Sequence, residues 1–255
     1  MYSIGMPLPL PRPDVWWADQ LAPSEQPTTP TGWSALDAAL PGRGWPLGAL
    51  IECAVAPEAL PWRLLQPALR AAAAHGPIVL IGLPLEPHAA AWAAQGVEPS
   101  RLLRVHTHTD ADALWAAEQV LRCPDGAVCW VHARQPTVAW MRRLQLAAAA
   151  ARRDTTRPGA WPAPLVLASV EDTRALPASA AALRLVVEPG DADGLRVHVR
   201  KRRGPPLSHP IWLDAPLPLR RLLPAPDALC ASPNTRHVDP CPVDRLPAHR
   251  PLACA

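Results

Sequence analysis

Phosphate chemistry in an α/β protein makes a short list of demands on a sequence. It needs glycines whose N–H groups wrap the phosphates, a lysine for their negative charge, and a Ser or Thr hydroxyl to hold Mg²⁺. The place for them is the turn between the first buried strand and the first long helix. In this chain that turn reads Cys53-Ala-Val-Ala-Pro-Glu-Ala-Leu-Pro-Trp-Arg63 and holds no Gly, Lys, Ser or Thr. Pro57 and Pro61 remove two amide donors, and Arg63 is its one cation. Lys201 is the only lysine among the 25 basic side chains, so a G-K-[ST] triplet occurs nowhere. The expectation is a chain with no catalytic residue for ATP hydrolysis and no bound cofactor.

The other chemistry-bearing residues are weaker signals. Six cysteines lack C-x-x-C spacing, and Cys53, Cys123 and Cys129 lie in or beside apolar runs, where a thiol serves as a small buried hydrophobe. Cys230, His237, Cys241, His249 and Cys254 are too irregularly spaced for a zinc finger, so no metal is expected. Positive charge concentrates in Arg200-Lys201-Arg202-Arg203. Four adjacent cations repel one another and call for an acidic partner or a nucleic-acid phosphate, or else form a solubilising rim. A second group, Arg142, Arg143, Arg152, Arg153 and Arg157, reads as a solvated helix face. The net charge of +3 is too small to imply nucleic acid by itself.

The elements that would position these residues follow from periodicity. Trp33, Leu36 and Leu40 trace a short helix stopped by Pro41-Gly42, and Ala49-Leu50-Ile51 begins the first buried strand. Trp62–Ala74 reads as a helix kinked at Pro67. Ile78-Val-Leu-Ile-Gly82 is a continuous apolar run of the kind found in central parallel strands. Helix His88–Gln95, strand Leu102–Val105, helix Asp110–Arg122 capped by Asp110, and strand Ala127–Val131 come next. A helix over Pro136–Ala151 with Pro in its first turn precedes strands Leu165–Val170 and Leu183–Glu188. Leu195–Val199 then closes a hairpin across Gly190–Gly194. Strands alternating with helices predict an α/β fold: a mostly parallel sheet flanked by helices, ending in a β-hairpin.

The ends differ in character. Residues 1–30 form a proline-broken linker with one helix candidate, Asp14–Ala22, whose Trp16 and Trp17 either cover the core of the same chain or dock on a neighbour. Residues 31–213 make the core. From Asp214 to Ala255 prolines recur, and such a tail cannot bury enough to fold alone. Leu217, Leu219, Leu222 and Leu223 are its docking candidates. The N-terminus lacks the basic-then-apolar pattern of a secretory signal, and no apolar run approaches a membrane span, so a cytoplasmic protein without membrane contact is expected.

The order Thr31-Gly32, Leu36-Asp37, a glycine-rich turn and Gly48-Ala-Leu-Ile-Glu52 resembles the entry to the RecA core, and the resemblance spans about Thr31 to Leu213. Within it the chain resembles the ImuA family, RecA-like (also called SulA-like) proteins of a damage-inducible mutagenesis cassette. The residues carrying this are P-T-G-x3-L-D-x2-L-P-G-x-G-W-P-L-G-A-L-x-E at 30–52 and D-A-L-W-A-x-E-Q-x-L at 112–121. R-R-L-Q-L-A at 142–147 and L-R-L-x-x-E-P, with K-R-R-G at 201–204, add to them. The resemblance implies a degenerate RecA-like core. It also implies a non-catalytic accessory role in SOS-induced translesion DNA synthesis. The partners implied are an inactive Y-family polymerase relative, an error-prone replicative-type polymerase and RecA itself; any DNA contact, through the cations at 200–203, is expected to be weak and nonspecific. A SulA-type inhibitor of cell division and a divergent RecA-like ATPase are the alternatives.

Departures from an active RecA decide among these. Where the resemblance places a water-activating glutamate the chain has Leu83-Pro84, with Glu86 nearby. Where it places a Mg²⁺-binding aspartate the chain has His132, and Mg²⁺ prefers oxygen. The strand that should end in an Asn-Gln switch ends in Ser169-Val170. The two DNA-binding loops shrink to 133–136 and 171–182, without an aromatic platform in a basic groove.

Overall fold

The computed structural model describes residues 26–56, 60–86, 88–151, 161–171, 179–190, 194–204 and 206–214. The helix candidate with Trp16 and Trp17, the loop proline Pro57, the cations Arg152, Arg153 and Arg157, and the tail leucines Leu217, Leu219, Leu222 and Leu223 lie outside them.

The chain builds an α/β fold around one mixed, mostly parallel sheet of eight strands. In chain order these are β3 (Leu50–Ala54), β4 (Ile78–Ile81), β5 (Leu102–Val105), β6 (Val128–Ala133), β7 (Leu165–Val170), β8 (Leu183–Pro189), β9 (Leu195–Lys201) and β10 (Ile211–Leu213). Their order across the sheet is β10-β9-β8-β3-β7-β6-β4-β5. All neighbours from β8 to β5 run parallel, and β8, β9 and β10 pair antiparallel. The predicted terminal hairpin is β8–β9. Two elements had no sequence signal: β10, and a small ribbon of β1 (Thr28–Thr29) with β2 (Trp45–Pro46). Strands of two or three residues carry too few side chains for an alternation to register.

Helices α1 (Ser34–Ala39), α2 (Trp62–Ala73), α3 (Ala89–Ala94), α4 (Asp110–Arg122) and α5 (Val138–Ala150) flank the sheet. Leu64, Leu65, Leu69 and Ala72 seat α2 on one face, with Ile51, Cys53, Leu80 and Trp130. Ala113, Leu114, Ala117 and Leu121 of α4 join Trp140, Met141 and Leu144 of α5 on the other, over Val79, Ile81 and Val131. Each large aliphatic side chain buried this way contributes about 1.5–3 kcal/mol.

The glycine-rich opening is explained by close approach. Gly32, at φ +84°, lies where an added Cβ would fall 2.2 Å from Cβ of Pro67 in α2, so only glycine lets α1 and α2 meet there. Pro67 therefore packs a helix contact, and α2 runs through it without ending. The Thr31 amide donates to Asp37 Oδ1 (2.8 Å) and the Trp33 indole to the Leu64 carbonyl (3.0 Å), which fastens α1 to α2.

Two expected caps are corrected. Thr109, not Asp110, caps α4, accepting from the Asp112 amide at 3.1 Å. Asp110 instead accepts from the amides of Arg134 and Gln135, 3.2 and 2.9 Å away, and so holds the loop after β6. Thr137 caps α5, leaving Pro136 just outside the helix. A hydroxyl at the N-cap satisfies an orphan amide of the first turn, which proline cannot do.

The strongest polar constraint in the sheet joins β3 to β8. Arg184 Nη2 donates to Glu52 Oε1 at 2.9 Å, with both side chains nearly inaccessible to solvent. Removing one partner of such a pair strands the other charge in the core. Arg184→Met should lower unfolding free energy by about 3–5 kcal/mol, while Glu52→Leu with Arg184→Met should recover most of that loss. Urea denaturation of the three chains checks it; a double variant as unstable as the single one would contradict the pairing account.

Candidate functional site

Ligands of open α/β sheets bind beyond the carboxyl ends of the parallel strands. Here those ends belong to β3, β7, β6 and β4. Register aligns Cys53, Ser169 and His132 in one row across β3, β7 and β6. Above the row stands the first turn of α2.

That turn is filled with indole. Trp62 packs edge-on against Trp130 of β6, with ring centroids 4.4 Å apart, and against Trp92 of α3 at 5.1 Å. Pairs of this geometry add about 0.5–1.5 kcal/mol each beyond the area they bury. Pro61 stands at the N-cap of α2 and offers no side-chain cap. Cys53 is fully buried, and burial pushes its thiol up to about 12, aided by neighbouring Glu52; burial alone does the same to Cys129. Both therefore behave as hydrophobes, as the sequence predicts. Cys123 does not: it is exposed just past α4, its Sγ 3.5 Å from the Gln119 carbonyl. Arg63 is partly buried, and its Nε and Nη2 are shielded from solvent with no hydrogen-bond partner among the described residues.

His132 anchors a polar chain that the sequence reading did not anticipate. The Trp130 indole N–H donates to Ser169 Oγ at 3.1 Å. Ser169 Oγ lies 3.1 Å from His132 Nδ1, and His132 Nε2 lies 3.2 Å from Glu171 Oε1. A carboxylate can only accept, so Nε2–H donates to Glu171, and in the neutral tautomer Nδ1 accepts from the Ser169 hydroxyl, whose oxygen takes the indole N–H. Burial lowers the His132 pKa, outweighing the hydrogen bond and charge of Glu171 and the more distant Asp110; Arg134 adds to the lowering. The order serine, histidine, carboxylate resembles an acyl-transfer triad, but Ser169 is fully buried and its oxygen already accepts from Trp130. The chain is a cross-strand tie. Its sequence signal was two polar residues near the ends of neighbouring apolar strands.

The remaining predicted residues are dispersed. Glu86 pairs with Arg104, whose guanidinium also donates to the carbonyls of Leu83 (3.1 Å) and Leu85 (3.3 Å). The carboxylate is thus engaged at the β5 edge. Arg143 is held by Glu118 of α4, at 2.8 Å, while Arg142 is exposed.

The cluster at 200–203 is not one patch. Simple alternation along β9 fails, because a bulge pairs Leu185 with Val199 but Arg184 with Lys201 and leaves Arg200 as the extra residue. Lys201 Nζ donates to the Ser179 carbonyl at 2.9 Å. Arg202 Nη1 donates to the Ala39 carbonyl at 2.5 Å, at the C-terminal end of α1. Arg202 and Arg203 line a small groove of about 50 Å³ with Gln26, Thr28, Leu40 and Pro41. Arg200 and Arg203 are exposed.

No family model matches this chain, and no curated protein has a matching sequence. Among the described residues, no helix is long and apolar enough to cross a membrane.

The His132 chain has a pH signature. A histidine whose pKa is lowered by folding resists protonation in the native state. Its stabilising contribution is complete above the ordinary histidine pKa, near 6.5, and is lost as pH falls below it, where the unfolded chain takes up the proton first. Urea unfolding between about pH 7 and pH 5 should show a steeper loss for the wild type than for His132→Gln, by at most about 1.4 kcal/mol per pH unit. Equal slopes would show that His132 titrates alike in both states.

Proposed function

We propose that this protein is a non-catalytic accessory protein of damage-induced translesion DNA synthesis, of the ImuA type. One observation carries the reading. Among the described residues at the carboxyl ends of β6 and β7, where an enzyme of this layout would present phosphate chemistry, the side chains are engaged with one another. Trp62 lies on Trp130, and Trp130, Ser169, His132 and Glu171 satisfy one another. A lysine and a run of backbone donors would have to displace them.

The residues of the opening motif support the same reading. Thr31, Gly32, Asp37 and Glu52 are each used in holding elements together, through the Asp37 acceptor, the Gly32–Pro67 contact and the Glu52–Arg184 pair. A sequence that retains these positions while its phosphate turn has drifted retains the scaffold. Function then resides in surfaces offered to partners: the polymerase relative, the error-prone polymerase and RecA. The protein is proposed to act in the cytoplasm without a cofactor, joining these partners.

Deletion of the gene tests the proposal. Damage-induced mutation frequency should fall to the uninduced level in the deletion strain, and the wild-type gene and Arg63→Ala should restore it equally. An unchanged mutation frequency in the deletion strain would contradict the accessory role.

A further inference from the structure

The sheet face at β9 and β10 carries a group of side chains that neither the scaffold nor the polar chain uses. Register sets Glu188, Arg196 and Trp212 in one row across β8, β9 and β10. Residues two apart on a strand share a face, so His198 stands beside Arg196 on the same side, with Arg200 following at the bulge. The opposite side of the same strands, with Val197, Val199 and Leu213, belongs to the core.

Trp212 is 55 % exposed, although tryptophan is among the side chains that gain most from burial. The Arg196 guanidinium lies over its ring, 5.5 Å from the centroid. Arg196 also donates to Glu188 Oε2 at 2.8 Å, and His198 Nε2 lies 3.4 Å from the same oxygen. The one carboxylate of the row is therefore compensated. Arg200 is exposed and has no hydrogen-bond or ion-pair partner among the described residues. Lys201 beside it is exposed and among the described residues hydrogen-bonds only to the Ser179 carbonyl. Arg196 and Arg200 are four residues apart, about 13 Å along the strand.

We propose that this face binds single-stranded nucleic acid, with a base stacked on the indole of Trp212 and phosphates farther along the strand held by Arg200 and Lys201. An exposed aromatic ring on a strand, flanked by cations, is what unpaired bases recognise, because every base has a face to stack and every nucleotide a phosphate. A duplex keeps its base faces covered and gains nothing from Trp212. An acidic peptide would use the cations, but its apolar anchor would meet the polar row of Glu188, Arg196 and His198 around the ring. Arg196, over the Trp212 ring, adds its charge to the site. The inference rests on the geometry of these side chains and stands independently of the accessory role.

Anisotropy of labelled oligothymidylate with the full-length protein, at about 50 and 200 mM salt, tests it. Wild type should bind, and more weakly at the higher salt. Trp212→Ala should lose about tenfold in affinity at both salts, the usual cost of one base stack, and Trp212→Phe should keep most of it. Arg200→Ala with Lys201→Ala should weaken binding and flatten its salt dependence. Should Trp212→Ala fail to fold by circular dichroism, Arg200→Glu at the exposed bulge carries the test and should lose binding. The proposal is overturned if wild type does not bind, or if folded Trp212→Ala binds as wild type does. It is equally overturned if duplex of the same length binds as tightly, or if polyglutamate competes as well as unlabelled strand.

Discussion

The register between β3 and β8 is the constraint on which the rest of this sheet depends. β3 lies between the parallel strands β7 and β8, and β8 leads into the antiparallel strands β9 and β10. All five residues of β3 are buried, and Glu52 is the only charged one. A slip of one residue would turn every side chain to the opposite face and bury Glu52 and Arg184 apart, each without its partner. The ion pair contributes little net stability against an apolar pair of similar volume. Its effect is to make one alignment of the two blocks far better than its neighbours. The Glu52 Oε2 atom is buried without a hydrogen bond among the described residues, so the pair is not a fully optimised interaction. Specificity of alignment accounts for its place better than stability does.

Given that alignment, the two ends of the sheet diverge in character. At the carboxyl ends of β3, β7 and β6, polar groups are paired with one another beneath an indole cluster. Burial makes the neutral form of His132 the favoured one and the thiol form of Cys53 overwhelmingly so. Such groups hold strands together and have little left for a substrate. At the β9–β10 edge the reverse is true. Cations and an indole stand in solvent on a rigid strand scaffold, where a partner can reach them. The reading of the molecule as a scaffold with working surfaces follows from this contrast.

Much of the layout was legible in the sequence, because long elements with strong periodicity leave a pattern that packing has no reason to override. Strands β5 and β7 and helix α4 occupy the very residues predicted. What escaped was decided by contacts distant in sequence. The bonds between Asp110 and the amides of Arg134 and Gln135 cannot be seen from a helix-start pattern, which equally suits Thr109 or Asp110 as the cap. The tie of His132 to Ser169 requires knowing that β6 and β7 are neighbours in that register. Arg200 leaves the alternation of β9 because of a bulge that no local residue announces. Trp212 carries no signal in the sequence because β10 is three residues long, yet in the fold it is an exposed aromatic with Arg196 over its ring.

The central claim, an α/β scaffold in which packed side chains stand where phosphate chemistry would need donors, is tested most directly by equilibrium binding of ATP with Mg²⁺. The shielded nitrogens of Arg63, without a hydrogen-bond partner among the described residues, make this a demanding test, since Arg63 is the one cation in the sequence from 53 to 63. Calorimetric titration of the full-length protein should give no saturable binding up to about 1 mM ATP, weaker than roughly 4 kcal/mol of binding free energy. Micromolar binding that disappears in Arg63→Ala would contradict the account and restore a nucleotide to the site.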